Sequence, residues 1–435
     1  RFCASIRGVP SFHFPMSSHL LAPILVATGL AAAVCPSLRA AEGFQVTRAN
    51  KSALPAGKEA DGMIGDWLIR NDLVVAVIGQ TSAWRDANQM VEGVQGAVID
   101  FTTLADNNDQ LVVLYPQGYR PTGVSANRTE ARQTGGKTAE LRVVRDPTDN
   151  EPYRSTTVYT LNDGEPFLRI RTVHENTSRK SVDVVVHDWL RLDNDIACRQ
   201  AQVDQTVIGM TSPWFHAAYG LSGSDGHTQR ARQDLDRKNL RTIGTWVHYP
   251  AVNPEQKATL PLAPGAKIEF ARRFFVARDF AGVQIAATRA LGRDLAPIRL
   301  QVVEVDGKPV RDAMASLFHG GDLATAALSD SQGQLTFTLP DGDYELVVEQ
   351  TGRADFKQTL SLVQGAPRHS APLRLPPQSF VTLDISESGT GARLPVKIEF
   401  RARKGTEKPD LGPLKRANGA GPLFFSARGD DTFPA

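Results

Sequence analysis

Metal-assisted hydrolysis needs several histidine or carboxylate side chains held at once, with a position left for water. The nine histidines of this chain are scattered as single residues, and His174, His187, His216, His227, His248, His319 and His369 all lie beyond the first forty positions. No H-x-H, H-E-x-x-H or C-x-x-C occurs, so a metal site would have to be assembled from separate strands, for example from His216, Asp225 and His227. Gly135-Gly136-Lys137-Thr138 has the ending of a phosphate loop, but Ala131 stands where the first glycine must be, and the stretch reads as a turn. G-x-S-x-G is absent, which removes the nucleophile elbow of α/β-hydrolases. Cys198 offers a thiol, although a buried or incidental side chain is the commoner role for a lone cysteine. Trp84, Trp214, Phe215, Tyr219 and Trp246 would form a stacking platform for carbohydrate if exposed together, and ordinary core if not. No catalytic, cofactor-binding or metal-ligating residue is assigned on this basis, and no cofactor is expected in this chain.

The frame that must position such residues is β-rich. At 435 residues the chain exceeds one ordinary core and suits two or three domains. Its net charge of +2 and the lack of a basic block argue against nucleic acid or an anionic membrane as partner. The charge-dense stretch Gln229–Arg241 mixes both signs and reads as a solvated loop or short helix. High Gly and Pro, with runs of Val, Thr and Leu, favours an all-β fold.

Leu20–Val34 is an apolar run too short to cross a membrane comfortably, followed by small residues around Leu38–Ala41. This is the shape of a signal peptide starting at Met16, with cleavage near Ala40 or Ala41. Residues 1–41 are therefore expected to be upstream sequence and leader. The product is expected to be secreted or periplasmic, with no transmembrane segment in the mature chain. Cys3 and Cys35 would leave with the leader, so no intrachain disulfide is expected. Asn127 and Asn176 fit glycosylation acceptors.

Residues 44–280 read as one large antiparallel sandwich. Strand-like runs at Trp67–Ile69, Leu73–Val77, Gly96–Phe101, Leu111–Tyr115, Ala139–Val144, Ser155–Leu161, Phe167–Thr172, Val182–Leu190, Thr242–Tyr249 and Ala266–Val276 recur at hairpin-like intervals. Residues 281–297 read as a linker with one helical turn or two before Pro297. A small β-sandwich module is expected over 298–375, where Leu335, Phe337 and Leu339 alternate on one strand face and Gly, Asp and Pro mark the turns. The module then begins again over 378–435. Phe380–Phe400 aligns with Leu300–Phe318, and Phe424–Pro434 parallels Leu328–Pro340. The second copy has no counterpart of the G-x-Y strand at Gly342–Leu346, so it is expected to be a truncated copy with an exposed edge.

The pattern G-K-P-V-x-x-A-x-x-x-L followed by S-D-x-x-G-x-x-x-F-x-L-P-x-G-x-Y resembles the carboxypeptidase regulatory-like (transthyretin-like) domain, which supports other domains and has no chemistry of its own. Val158–Ser178 resembles the β-supersandwich of galactose-mutarotase-like proteins. In their catalytic members a histidine and a carboxylate serve as acid and base, which points to His174-Glu175 and His187-Asp188 here. Neighbours on a strand face opposite ways, so a dyad would need His174 to meet Asp188, or Glu175 to meet His187, across strands. A surface or hydrogen-bonded structural role is the alternative.

The order of parts, and Leu394–Pro413 above all, resembles the accessory region of secreted metallohydrolases of the carbaryl-hydrolase-like (CehA/McbA) group. In that group a PHP (polymerase and histidinol phosphatase) barrel follows and carries the divalent metals. The resemblance implies a non-catalytic region that supports or targets a downstream hydrolase domain of the same polypeptide. The first alternative is a carbohydrate-binding or carbohydrate-active protein of the supersandwich class, with a glycan or polymer as partner. The second is a cell-surface structural protein.

Overall fold

The computed structural model describes residues 40–82, 85–87, 91, 93–116, 127–134, 136–149, 151–192, 199–203, 206–212, 215–227, 229–236, 241–293, 296–363, 371–401, 403–405 and 423–434. The leader assignment, Trp84, Gly135, Cys198 and Trp214 lie outside the described residues.

The chain opens with strands β1 (Glu42–Gln45), β2 (Trp67–Arg70), β3 (Val74–Ile78), β4 (Val98–Thr103) and β5 (Leu111–Tyr115). Four longer strands follow: β6 (Asn127–Thr134), β7 (Thr138–Arg145), β8 (Arg154–Asn162) and β9 (Phe167–Glu175). Then come β10 (Val182–Val184), β11 (His187–Leu192), β12 (Arg199–Val203), β13 (Val207–Ser212) and β14 (Ala217–Gly223). The unit closes with β15 (Gln229–Asp236), β16 (Arg241–His248), β17 (Leu260–Leu262) and β18 (Lys267–Ala277). They form two eight-stranded sheets, ordered β1-β2-β3-β4-β5-β11-β16-β15 and β12-β13-β14-β18-β9-β8-β7-β6, with β10 and β17 as a separate pair. Neighbouring strands in both sheets run antiparallel. The chain is an all-β protein of sandwich architecture.

Between the sheets lies one continuous core. The first sheet gives it Ile69, Ala76, Phe101, Leu114, Leu190 and Val247, and the second gives Leu141, Tyr159, Ile170, Tyr219 and Phe274. The outward side of the first sheet is also apolar. Leu68, Val75, Val77, Val113, Tyr115 and Trp189 pack there with Ala87, Val91 and Val94 from the β3–β4 connection. Burial on both faces explains why β3 (VVAVI) and β5 (LVVLY) read as unbroken apolar runs. The second sheet faces water on part of its outer side, where Arg171 pairs with Glu269 and Lys267 with Glu175.

Three buried aspartates bind the Leu54–Asp66 segment to the first sheet. Asp100 accepts from the amides of Asp61 and Gly62 at 2.8 and 2.9 Å. Asp66 accepts from the amides of Met63 and Gln80 and from Arg85, whose Nη2 lies 2.8 Å away. Asp109 accepts from the Phe101 amide at 2.8 Å and from the Tyr219 hydroxyl at 3.1 Å. Gly57 bridges to the backbone of Asp109 so closely that a Cβ would fall 2.2 Å from its amide nitrogen, at a φ of +145° that disfavours any side chain. This is the structural use of the D-G-M-I-G-D run.

The segment after β18 is not a free linker with one or two helical turns. It is an eleven-residue helix, α1 (Phe280–Ala290), seated on β13, β14 and β18 on one side and on the following module on the other. Asp279 caps it, accepting from the Gly282 amide at 2.7 Å, and its second oxygen accepts from the Leu328 amide of the module at 2.8 Å. Phe280, Ala281, Val283, Gln284 and Ala287 are buried. The apolar spacing was legible, but the contacts that turn a short helix into a wedge are not local. Asp279→Ala should therefore cost about 1–2 kcal/mol, the usual value of a lost cap. A smaller loss in urea unfolding would mean that the Leu328 contact and the cap are both marginal.

The module comprises β19 (Ile298–Val303), β20 (Met314–His319), β21 (Asp322–Leu328), β22 (Gln334–Phe337), β23 (Gly342–Glu349), β24 (Phe356–Leu362) and β25 (Leu373–Arg374). Sheets β22-β19-β25 and β21-β20-β23-β24 enclose a core that includes Leu300, Val302, Leu317, Leu335, Phe337 and Leu346. Strands β26 (Phe380–Thr382), β27 (Val396–Glu399), β28 (Leu423–Ser426) and β29 (Thr432–Pro434) follow. Pairing of β26 with β29 and of β27 with β28 repeats the pairing of β19 with β22 and of β20 with β21. Phe380 and Phe425 are each 57% exposed there. No helix among the described residues is long and apolar enough to cross a membrane.

Candidate functional site

Polar and ring side chains meet on the outward face of β11 and β16. Alternation along β11 turns Asp188, Leu190 and Leu192 inward and His187, Trp189 and Arg191 outward. In register with them, Trp246 stands opposite Trp189 and His248 opposite His187, while Tyr115 of β5 stands opposite Trp189 on its other side. Ring centroids are 5.8 Å apart for Tyr115 and Trp189, 6.4 Å for Trp189 and Trp246, and 4.6 Å for His187 and Trp246. His187 and His248 stack at 5.0 Å with 21° between their planes. Gly244 makes room for this packing, since a Cβ there would lie 2.5 Å from the Trp189 indole.

Tyr115 and Trp189 are buried and act as the floor, whereas Trp246 is half-buried and offers ring surface. Burial holds the His248 imidazole below its ordinary pKa, so it is neutral at pH 7. Its Nδ1 lies 3.3 Å from Asn253 Nδ2, an amide donor, which places the ring proton on Nε2. Asn253 is itself fixed by the Lys257 carbonyl at 2.7 Å. An indole face beside two imidazoles suits a ligand with both C–H faces and hydroxyl groups.

The histidine–carboxylate encounters that a catalytic dyad would need do not form among the described residues, and His174 takes the hydrogen-bonded structural role instead. His174 points into the sandwich, with Nδ1 2.7 Å from the Ser155 hydroxyl and Nε2 2.8 Å from the Val185 carbonyl. The carbonyl accepts only, so Nε2 carries the proton and Ser155 donates to Nδ1. Glu175 lies on the opposite face, 3.1 Å from Lys267. Asp188 is fully buried in an ion pair with Arg272, whose Nε and Nη2 lie 2.7 and 3.0 Å from its oxygens, and it accepts from the Tyr249 hydroxyl at 2.6 Å. Burial pushes the Asp188 carboxyl above its ordinary range against the pull of the guanidinium. These side chains hold the two sheets together.

The other singled-out residues disperse. His216 sits at φ +52° ahead of β14, and burial lowers its pKa. Asp225 accepts from the His227 amide at 3.0 Å in a turn. Among the described residues no three His, Cys, Asp or Glu groups gather as metal ligands. Tyr219 is core, its hydroxyl accepting from the Gln110 amide at 2.9 Å, and Phe215 lies under Lys58. Gln229–Asp236, expected as loop or helix, is edge strand β15, because pairing to β16 overrides its charged composition. Asn176 is fully buried and donates to the carbonyls of Lys180 and Leu262, so that acceptor motif is closed in the folded chain, whereas Asn127 opens β6. Sequence reading picked out His187 and Trp246 but missed Tyr115, Trp189 and His248 as their companions. The only signal was the shared outward phase of β11 and β16, which needs the register to be read.

No family model and no curated protein matches the chain. Partial similarity exists to several solved structures. One is a TPR-domain containing protein from Parabacteroides distasonis, at 12% identity and TM-score 0.37 over 49% of this chain and 47% of that one, so the chain spans about half its length. A second is a putative aldose 1-epimerase from Klebsiella pneumoniae subsp. pneumoniae, at 10% identity and TM-score 0.33 over 58% of this chain and 95% of that one. A third is a galactose mutarotase-like protein from Lactobacillus casei, at 10% identity and TM-score 0.31 over 49% and 100%. The chain, by its own sheets an all-β sandwich protein, has galactose-mutarotase-like proteins among its structural neighbours.

Proposed function

We propose that this chain binds carbohydrate on the outward face of β11 and β16. The observation that carries this reading is the half-buried Trp246 ring, held on a floor of Trp189 and flanked by the stacked His187 and His248. A pyranose presents an apolar C–H face that packs on an indole, and hydroxyls that an imidazole serves as donor or acceptor. Binding without turnover is favoured because the carboxylate next to His187 in sequence, Asp188, is committed inward to Arg272. Joined to a metal-dependent hydrolase domain, as the motif resemblance implies, such a face would hold a polymer for that domain. The test is calorimetric titration of the purified chain with a panel of neutral and acidic mono- and oligosaccharides. A saccharide should bind, and Trp246→Ala should weaken it about 30-fold, the equivalent of about 2 kcal/mol at a central anchor. No binding across the panel, or unchanged affinity in a folded Trp246→Ala protein, would contradict the reading.

A further inference from the structure

Asp100 and Asp109 are both fully buried and within electrostatic reach of each other, and the Phe101 amide, next to Asp100 in sequence, donates to Asp109 Oδ1. Their hydrogen bonding is unequal. Each Asp100 oxygen accepts a backbone N–H from the Leu54–Asp66 segment, Oδ1 from Asp61 and Oδ2 from Gly62. Asp109 Oδ1 takes both the Phe101 amide and the Tyr219 hydroxyl, while Oδ2 is buried without a hydrogen bond of good geometry, the nearby Leu111 amide giving the carboxylate only a weaker pull. A carboxylate oxygen sealed off without a donor strongly disfavours the charged form. The charged and titratable groups around the pair make this worse. Asp61 and Asp66 face Asp100 from the segment, Tyr219 faces Asp109 from β14, and Asp66 has Arg85 committed to it. On the same segment Lys58 pairs with Glu59 at 3.3 Å.

We propose that the Leu54–Asp66 segment is a pH-sensitive latch, closed while Asp100 and Asp109 hold one proton between them and loosened when that proton leaves. Asp109 Oδ2 is the favoured seat of the last proton to leave, because the two amide donors of Asp100 pull its carboxyl toward the charged form against burial. Opening the segment exposes both carboxyls to water, where each returns to its ordinary acidity. The closed state therefore binds the proton more tightly than the open state, and protons favour closure. Burial raises Asp100 to about 7 and Asp109 well above its ordinary value, so the latch is tightest in acid and weakens from the ordinary carboxylate range upward as the pH rises. Leu54 and the adjacent Ala53 pack on the apolar layer that contains Trp189 and Trp246, so loosening reaches the back of the ring row.

Amide hydrogen exchange of the full chain, corrected for intrinsic rates, tests this between pH 4.5 and 8. Protection of the Asp61 and Gly62 amides should fall as the pH rises across that range, by about tenfold per pH unit for each proton released. Asp109→Asn keeps the Oδ1 acceptor and supplies a neutral Nδ2, so it should remove the pH dependence. If that variant fails to fold, infrared spectroscopy of the unmodified chain carries the test, through a protonated-carboxyl band at pH 6 that disappears as the amides lose protection. Flat protection across the range, a full pH dependence in a folded Asp109→Asn protein, or no protonated carboxyl at pH 6 would overturn the latch.

Discussion

Asp188→Ala should destabilise the chain by about 3–5 kcal/mol, read as a drop in the urea midpoint with unchanged slope. The substitution strands the Arg272 guanidinium, which has no exposed surface in its side chain. Thr172 Oγ1 at 2.8 Å and the Pro116 carbonyl at 2.6 Å would still accept from it, but neither carries a counter-charge. Tyr249 would lose its acceptor in the same step. Arg272→Met should cost less, because the Asp188 carboxyl, already raised by burial, can take a proton and become neutral, whereas an arginine cannot lose one. The double variant Asp188→Leu/Arg272→Met should recover part of the loss, since a filled apolar core has no charge to desolvate. Equal losses for the two single variants would show that packing around the pair, not its charge, sets the cost.

Phe280→Ala should cost about 3–5 kcal/mol, the range for removing a buried phenyl ring. Phe280 is fully buried at the start of α1, with its ring so close to Gly209 of β13 that a Cβ there would lie 2.4 Å from Cε2. The same apolar cluster contains Phe167, Val207 and Phe275 on the sandwich side and Met314, Leu323 and Leu328 on the module side. Loss of the ring should therefore loosen sandwich and module together, with exchange protection falling in both β13 and β21. Protection lost from α1 alone would mean that the helix decorates a contact formed without it.

Much of the first sheet was legible because its central strands are continuous apolar runs bounded by turn residues. Leu111–Tyr115 coincides with β5, and Trp67–Ile69 and Leu73–Val77 fall within a residue of β2 and β3. Val182–Leu190 was read as one strand but breaks into β10 and β11, which belong to different sheets. β15 was missed because an edge strand can be charged throughout and still pair along its backbone. α1 was underestimated because its length is set by contacts with β14, β18 and β21, far away in sequence. The candidate site was the least legible part. His187 and His248 are sixty-one positions apart by number, and their stacking depends on antiparallel register between β11 and β16. Asp188, which looked like a partner for a histidine, lies one position away from His187 and hence on the other face.

A saccharide received on the outward face of β11 and β16 must be sensed by the Trp246 indole. The most direct measurement is an amide and indole correlation spectrum of the labelled chain titrated with the saccharide that binds, with the Trp246 indole assigned by Trp246→Phe. Concentration-dependent shifts of the Trp246 indole N–H and of the His187 and His248 ring protons are expected, with the buried network around Arg272 unmoved. Saturable binding that leaves the Trp246 indole and both imidazoles unshifted, while other regions respond, would contradict it.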